Sequence, residues 1–375
     1  MHTRRALSLL GLVTILAVAA WPPGARVLAA PAAWQTADTL PSRLTDEEFW
    51  RLSQDSSEPN GQFRSDNLVS NELYFQWVIP DLINRARQGG VYLGVGPEQN
   101  FTYIAALKPK MVFITDIRRG NLCMHLMYKA IFELTNNRAD FVELLFNKKR
   151  PAGLTDKSTS ADIANAFWDV VTSSEAVYKA NLKRIQDHLT QTRHLPLGKD
   201  DLDGIEYIYW HFYWDGMRIN YNSSTQQNNG GRGGSSMAMY GDLMLTTDGS
   251  NQSRYYLATE ESFRFLKDLH ARNVFVPVVG NFAGPKALKA VGKYVREHGG
   301  TVSAMYLSNV EQYLNQDGIW SYFCANVASM PLDEKSTFIR SASGGGGGGS
   351  GLSNYLGSML NETRGCGRPE PAVVR

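Results

Sequence analysis

Two short apolar runs constrain this chain more than anything else in it. Val91-Tyr92-Leu93-Gly94-Val95-Gly96 ends in glycines, and Met111-Val112-Phe113-Ile114-Thr115-Asp116 ends on an acid. Neither alternates apolar with polar residues. A strand that is apolar on both faces must be covered on both, the condition of a parallel sheet between helical layers. Asn273–Val279 and Thr301–Leu307 are runs of the same kind, and Ser336–Arg340 reads as a final strand. Helical stretches separate them. One runs from Pro285, suited to a first turn, to Gly299-Gly300, suited to an end. Alternation at these spacings predicts an α/β fold with a doubly wound, mostly parallel sheet and right-handed crossovers.

The rest of the chain is arranged around that sheet. Thr45-Asp46-Glu47-Glu48 is a capping box that opens a helix near Asp46, fading at Pro59-Asn60-Gly61. A second helical stretch is expected from about Glu72 to Gln88, interrupted or started by Pro80. Residues from about Asn121 to His194 are helical in pattern and exceed what one crossover needs, so a helical insertion at about 121–200 follows the second strand. Ile205–Trp214 is aromatic and β-prone, whereas Asn222–Ser236 is a polar loop with almost nothing to bury. Thr259 caps a helix running to about Ala271. Ser343–Gly351 is nearly all glycine and cannot hold a packed core. A single domain is therefore expected over 44–342, after a flexible lead-in at 30–43 and before a linker and disordered, dispensable tail at 343–375.

The N-terminus reads as an address. Met1–Arg5 is basic, Ala6–Ala20 is apolar but short for a bilayer span, and Pro22-Pro23-Gly24 breaks it. Cleavage after Ala29 would place Val27 and Ala29 at the recognition positions of a signal peptide at 1–29. Thr3-Arg4-Arg5-Ala6-Leu7 also resembles a twin-arginine export signal. An exported, periplasmic or extracellular protein is expected, with no stable membrane span after cleavage. Charge agrees with that division. The chain holds 38 Lys+Arg against 36 Asp+Glu. The first 30 residues carry three arginines and no acid, leaving 35 basic against 36 acidic side chains beyond them. That balance argues against a general nucleic-acid binder. Cys123, Cys324 and Cys366 match no zinc spacing. They read as buried apolar residues plus one tail thiol, with a Cys324–Cys366 bridge left open.

Ligands of open α/β sheets bind beyond the carboxyl ends of the strands. Those ends are Gly94–Glu98, Thr115–Arg118, Gly280–Asn281 and Ser308–Asn309. Gly94 and Gly96 let backbone turn close to a ligand, with Val95 between them, and the amides near Gln99 and Asn100 face the same place. Asp116 offers two acceptor oxygens to the hydroxyls of a ribose. The plainer alternative is that the turn merely joins strand to helix and Asp116 caps a helix near Ile117. Asp215 and Arg218 follow an aromatic run and are candidates to hold a charged substrate, or else a turn aspartate and a surface arginine. Tyr240 and Asp242 follow the polar loop and are candidates to close on a ligand, although packing explains Tyr240 equally well. His211 reads as a packed histidine, and His125 has no metal partner at its spacing. No Ser-His-Asp signature, Gly-x-Ser-x-Gly elbow, Walker loop or zinc motif occurs.

These motifs resemble the nucleoside-binding half of class I S-adenosylmethionine-dependent methyltransferases, over roughly Val91 to Asn309 less the helical insertion. The resemblance implies a Rossmann-like fold with S-adenosylmethionine as cofactor and a small molecule as methyl acceptor. It places the cofactor at Gly94, Val95, Gly96, Glu98, Asn100, Asp116, Ile117 and Asn281, and a substrate near Asp215, Arg218, Tyr240, Asp242 and Asn309. Tyr92 stands where that family carries a leading acid, Glu98 where it carries a third glycine, and Asn281 matches by position only. A closer resemblance is to an uncharacterised bacterial family with a methyltransferase-like fold, carried by GVGPEQN (94–100), ITDIRR (114–119), WDGMRINY (214–221), YGDLM (240–244), VPVVGNFAGPKAL (276–288) and YLSNVEQYL (306–314). That family implies no established reaction. The alternative function is a non-catalytic extracytoplasmic binding or interaction protein on a degenerate sheet of this kind.

Overall fold

The computed structural model describes residues 38–224, 237–343 and 352–366. The expected signal peptide, most of the polar loop and the glycine run lie outside the described residues. Six strands form one sheet: β1 Val91–Gly94, β2 Met111–Asp116, β3 Phe275–Val279, β4 Val302–Ser308, β5 Thr337–Ser343 and β6 Leu352–Ser358. Their order is β3-β2-β1-β4-β5-β6. The first five run parallel, and β6 pairs antiparallel with β5. Val91 is in register with both Met111 and Val302, so β1 is central. Every residue of β1, β2 and β3 is buried, as their continuous apolar runs require.

Helices cover the sheet. Before β1 come α1 (Asp46–Ser56) and α2 (Ile79–Arg85), and α3 (Gln99–Leu107) joins β1 to β2. Between β2 and β3 lie α4 (Arg119–Leu134), α5 (Arg138–Phe146), α6 (Ser160–Trp168), α7 (Glu175–Asp187), α8 (Lys199–Asp215), α9 (Tyr240–Leu245) and α10 (Glu260–Ala271). Then follow α11 (Ala287–Glu297), α12 (Val310–Gln316), α13 (Trp320–Ala328) and the short α14 (Met359–Thr363). The capping box at α1 forms in both directions: Glu48 N–H donates to the Thr45 hydroxyl, and Thr45 N–H donates to the Glu48 carboxylate.

The structure corrects four local expectations. Ile205–Trp214 is not extended but lies within α8, because Ile205, Ile208, Tyr209 and Phe212 recur at helical spacing and are buried together. Spacing overrides the β preference of the individual aromatics. The helix expected over 72–88 shrinks to a 3-10 turn at Phe75–Val78 and α2. The lead-in is partly docked: Thr39 N–H donates to the His298 carbonyl and Arg43 Nη1 to that of Ala271. The tail, finally, belongs to the fold. Leu352–Ser358 becomes β6, and Cys366 is bonded to Cys324 with a Cα–Cα separation of 5.7 Å. The tail thiol is therefore not free. Cys123 is free and buried, and burial, with Asp201 nearby, pushes its thiol up to about 12. Among the described residues no helix is long and apolar enough to cross a membrane.

Candidate functional site

A cleft of about 350 Å³ opens over the carboxyl ends of β1, β2, β3 and β4. This is where the strand order reverses, with β2 on one side of β1 and β4 on the other. Val95, Asp116, Ile117, Asn281 and Asn309 line it, five of the residues named from sequence.

Much of the remaining wall comes from residues 57–73, an arm without helix or strand that crosses the strand ends. Glu58 N–H donates to the Val279 carbonyl after β3, and Gly61 N–H to that of Ile117 after β2. Ser70 N–H donates to the Glu98 carboxylate after β1, and Glu72 reaches β4. The arm is latched by Glu58. Its carboxylate accepts from the backbone N–H groups of Asn281, Lys286 and Ala287 at 3.1, 2.8 and 2.9 Å. A Cβ at Gly284 would lie 2.4 Å from both Glu58 oxygens, so the Gly280–Gly284 turn is shaped around this internal anion.

The β1–α3 turn is built by Asn100. Its Nδ2 donates to the Val95 and Pro97 carbonyls at 2.8 Å each, and its Oδ1 accepts from the Tyr92 hydroxyl at 2.9 Å. A Cβ at Gly94 would sit 1.9 Å from that Oδ1, and Gly96 has φ +76°. Both glycines are thus required by the turn itself. The Gly96 carbonyl accepts from Asn121 Nδ2 at 3.0 Å and from His125 Nε2 at 2.9 Å. Burial pushes the His125 ring down to about 4, so it is neutral and Nε2 carries the hydrogen.

Two carboxylates dominate the interior of the cleft. Asp116 is 5% exposed and holds Arg118: Oδ1 accepts from Arg118 N at 3.0 Å and Nε at 3.2 Å, and Oδ2 from Nη2 at 3.2 Å. Arg118 Nη1 then donates to the Ser65 carbonyl of the arm. Glu72 is more deeply buried and accepts four hydrogen bonds, from Tyr306 Oη, Ser308 Oγ, Gln99 Nε2 and Asn354 Nδ2, at 2.7–2.9 Å. Asn354 belongs to β6, so the tail helps build the site. At the mouth, Arg64 donates to the Tyr313 hydroxyl at 2.6 Å and lies over its ring at 5.3 Å, with Phe63 edge-on to the same ring. Tyr221 and Met237, which flank the polar loop, also line the mouth.

Other residues named from sequence lie elsewhere. Glu98 is wholly buried and does not line the cleft. Burial pushes its carboxyl up to about 8, opposed by the Ser70 N–H, and it faces the Tyr128, Tyr240 and Tyr255 side. Tyr240 is a core residue whose hydroxyl meets that of Tyr256. Asp242 caps its own helix by accepting from Met239 N–H. Asp215 lies beside His211 at 3.9 Å, and Arg218 is an exposed side chain over Trp168. None of the four lines the cleft. Conversely, the sequence reading missed Glu72, Ser70, Arg64 and the latch Glu58, which sit in a stretch with no periodicity. Arg118 and Tyr306 lay inside quoted motifs without being assigned a role.

Among the described residues, no group of three or more His, Cys, Asp or Glu is placed to hold a metal ion. A family model described as a domain of unknown function (DUF7790) matches residues 67–196 and 221–356. The two stretches take in the arm from Asn67, β1 to β5 and most of β6. No curated protein matches the sequence. The matched stretches make up well over half of the chain, which therefore belongs to the DUF7790 family.

Proposed function

We propose that the cleft binds a nucleoside cofactor of the S-adenosylmethionine class and that the protein transfers a methyl group to a small molecule. The observation that carries this reading is Asp116, nearly buried at the end of β2 and lining the cleft alongside Val95 of the glycine turn. The sheet order, with β1 central and an antiparallel outer strand, supports a Rossmann-like, methyltransferase-like fold. The volume lies in the range of small-molecule sites. The donor set also fits the cofactor. Asp116 Oδ1 already accepts two bonds from Arg118, whereas Oδ2 accepts one and keeps a lone pair for a ribose hydroxyl. Glu72 lines the same cleft, and its two oxygens already accept four hydrogen bonds from the protein. The Thr115 hydroxyl, on a residue that lines the cleft, has no partner among the described residues.

The bound cofactor supplies an electrophilic methyl on a sulfonium. The chain supplies position: Val95 of the glycine turn lines the ligand's place, Asp116 orients the ribose, and Asn309 lines the place of the acceptor. Methyl transfer asks mainly for alignment of the reacting atoms. Asn281 follows the third strand of the sheet, so the loop after the fourth is Ser308-Asn309. We propose export as its destination, tested by whether the protein recovered outside the cytoplasm begins at residue 30.

The Asp116–Arg118 pair favours a second reading, a non-catalytic binding protein, because the carboxylate is already partnered. Calorimetric titration separates the possibilities. S-adenosylhomocysteine is expected to bind the protein, and Asp116→Asn to weaken binding by about tenfold or more, as loss of charged hydrogen bonds does. Absence of binding overturns the cofactor assignment. Binding without turnover of any acceptor overturns the catalytic part alone.

A further inference from the structure

A second concave surface lies outside the cleft and shares no residue with it. It is an open groove of about 530 Å³ between α7 and α8. The face of α8 opposite its buried stripe carries Tyr207, Trp210 and Trp214, which are 46%, 40% and 68% exposed. The indoles of Trp210 and Trp214 are parallel, with centroids 5.4 Å apart. Tyr178 of α7 stacks on Tyr213 at 4.6 Å and closes the groove floor. Single exposed aromatics need no explanation, but a contiguous set does.

The rim is acidic. Three acids, Glu175, Asp203 and Glu206, line the groove with one lysine, Lys179. Glu175 is bonded to Lys179 at 2.6 Å, and Asp203 is paired with Lys199. Glu206 has no ion pair among the described residues. Aromatic faces edged by carboxylates attract organic cations, since the ring quadrupole and the full charges act with the same sign. Arginine adds planar stacking on indole. Lys179 and Lys199 meet the charge of Glu206 only at longer range, so a cationic ligand supplies the close partner that a neutral one does not. The groove is larger than one cationic group fills and is open along its length.

We propose that this groove docks an extended, arginine- or lysine-rich segment of another protein. Binding of a dye-labelled hexaarginine peptide to the full chain, read by fluorescence anisotropy, tests it. Saturable binding that weakens as salt is raised is expected. Trp214→Ala should weaken it about tenfold, and Glu206→Gln roughly threefold. Trp214 is largely exposed and the glutamine keeps the shape of Glu206, so both variants are expected to retain the circular dichroism of the parent. Absence of binding, or binding that neither variant changes, overturns the proposal. Maltohexaose binding more tightly than the peptide also overturns it and assigns the groove to a glycan.

Discussion

Glu98 stands one position before α3, and its burial has a thermodynamic signature. The folded chain keeps a proton on this carboxyl up to about 8, whereas an ordinary glutamate gives it up near 4.5. Protein stability owed to this group is therefore whole below about 4.5 and is lost as pH rises through 8. Glu98→Gln keeps the acceptor for Ser70 N–H and cannot ionise. The variant should match the parent at pH 4.5 and exceed it by about 2–5 kcal/mol at pH 9, measured by urea denaturation. A difference that stays flat across that range would remove the buried acid from the argument. At this scale the sequence was partly readable. Asp116, Val95, Asn281 and Asn309 lie at strand ends, and strand ends follow from a local apolar pattern. Glu72 has no such marker, because its donors Tyr306, Ser308 and Asn354 lie more than 230 positions away. Glu98 was assigned to the cofactor by its place in a motif, which carries no information on which way a side chain points.

Among the elements, the arm at 57–73 shows most clearly what periodicity omits. It is held by backbone donors and a few polar side chains, none of which repeats at a helical or strand spacing. Its latch makes a specific coupling. Gly284→Ala pushes a methyl group into the Glu58 carboxylate and should cost about 2 kcal/mol, as overpacking does. Glu58→Ala leaves three N–H groups without their acceptor and should cost a similar amount, about 1–3 kcal/mol. Combined, the two should cost less than the sum, since the alanine at 284 then meets no carboxylate. Strict additivity in urea denaturation would show that the turn is not built around Glu58. Helix α8 teaches the converse lesson. Its aromatic composition favours a strand, but the order of those aromatics favours a helix, and the order decides. The glycine turn and the α1 cap were legible because each is specified by residues close in sequence.

For the molecule as a whole, the sheet class was readable from β1 and β2 alone, while its outer edge was not. The glycine run hid β6, which a reading along the chain separates from the domain it completes. The Cys324–Cys366 bridge, at a sequence separation of 42, pins that edge. Replacing both cysteines with alanine should lower stability by about 2–4 kcal/mol on the loop-entropy account. Amide exchange should rise first in β6 and α14, and unchanged exchange there would show the bridge to be incidental. The arm has a consequence of another kind. Ser53 donates to the Pro277 carbonyl, Glu58 to that of Val279, and Glu72 is bonded to Ser308 and Asn354. A ribosome makes each of those partners more than 200 residues after the residue it meets in 53–72. Such long-range closure is slow. A nascent chain therefore carries residues 53–72 unmatched until β3, β4 and β6 have been made, and the cleft comes into being only with those strands.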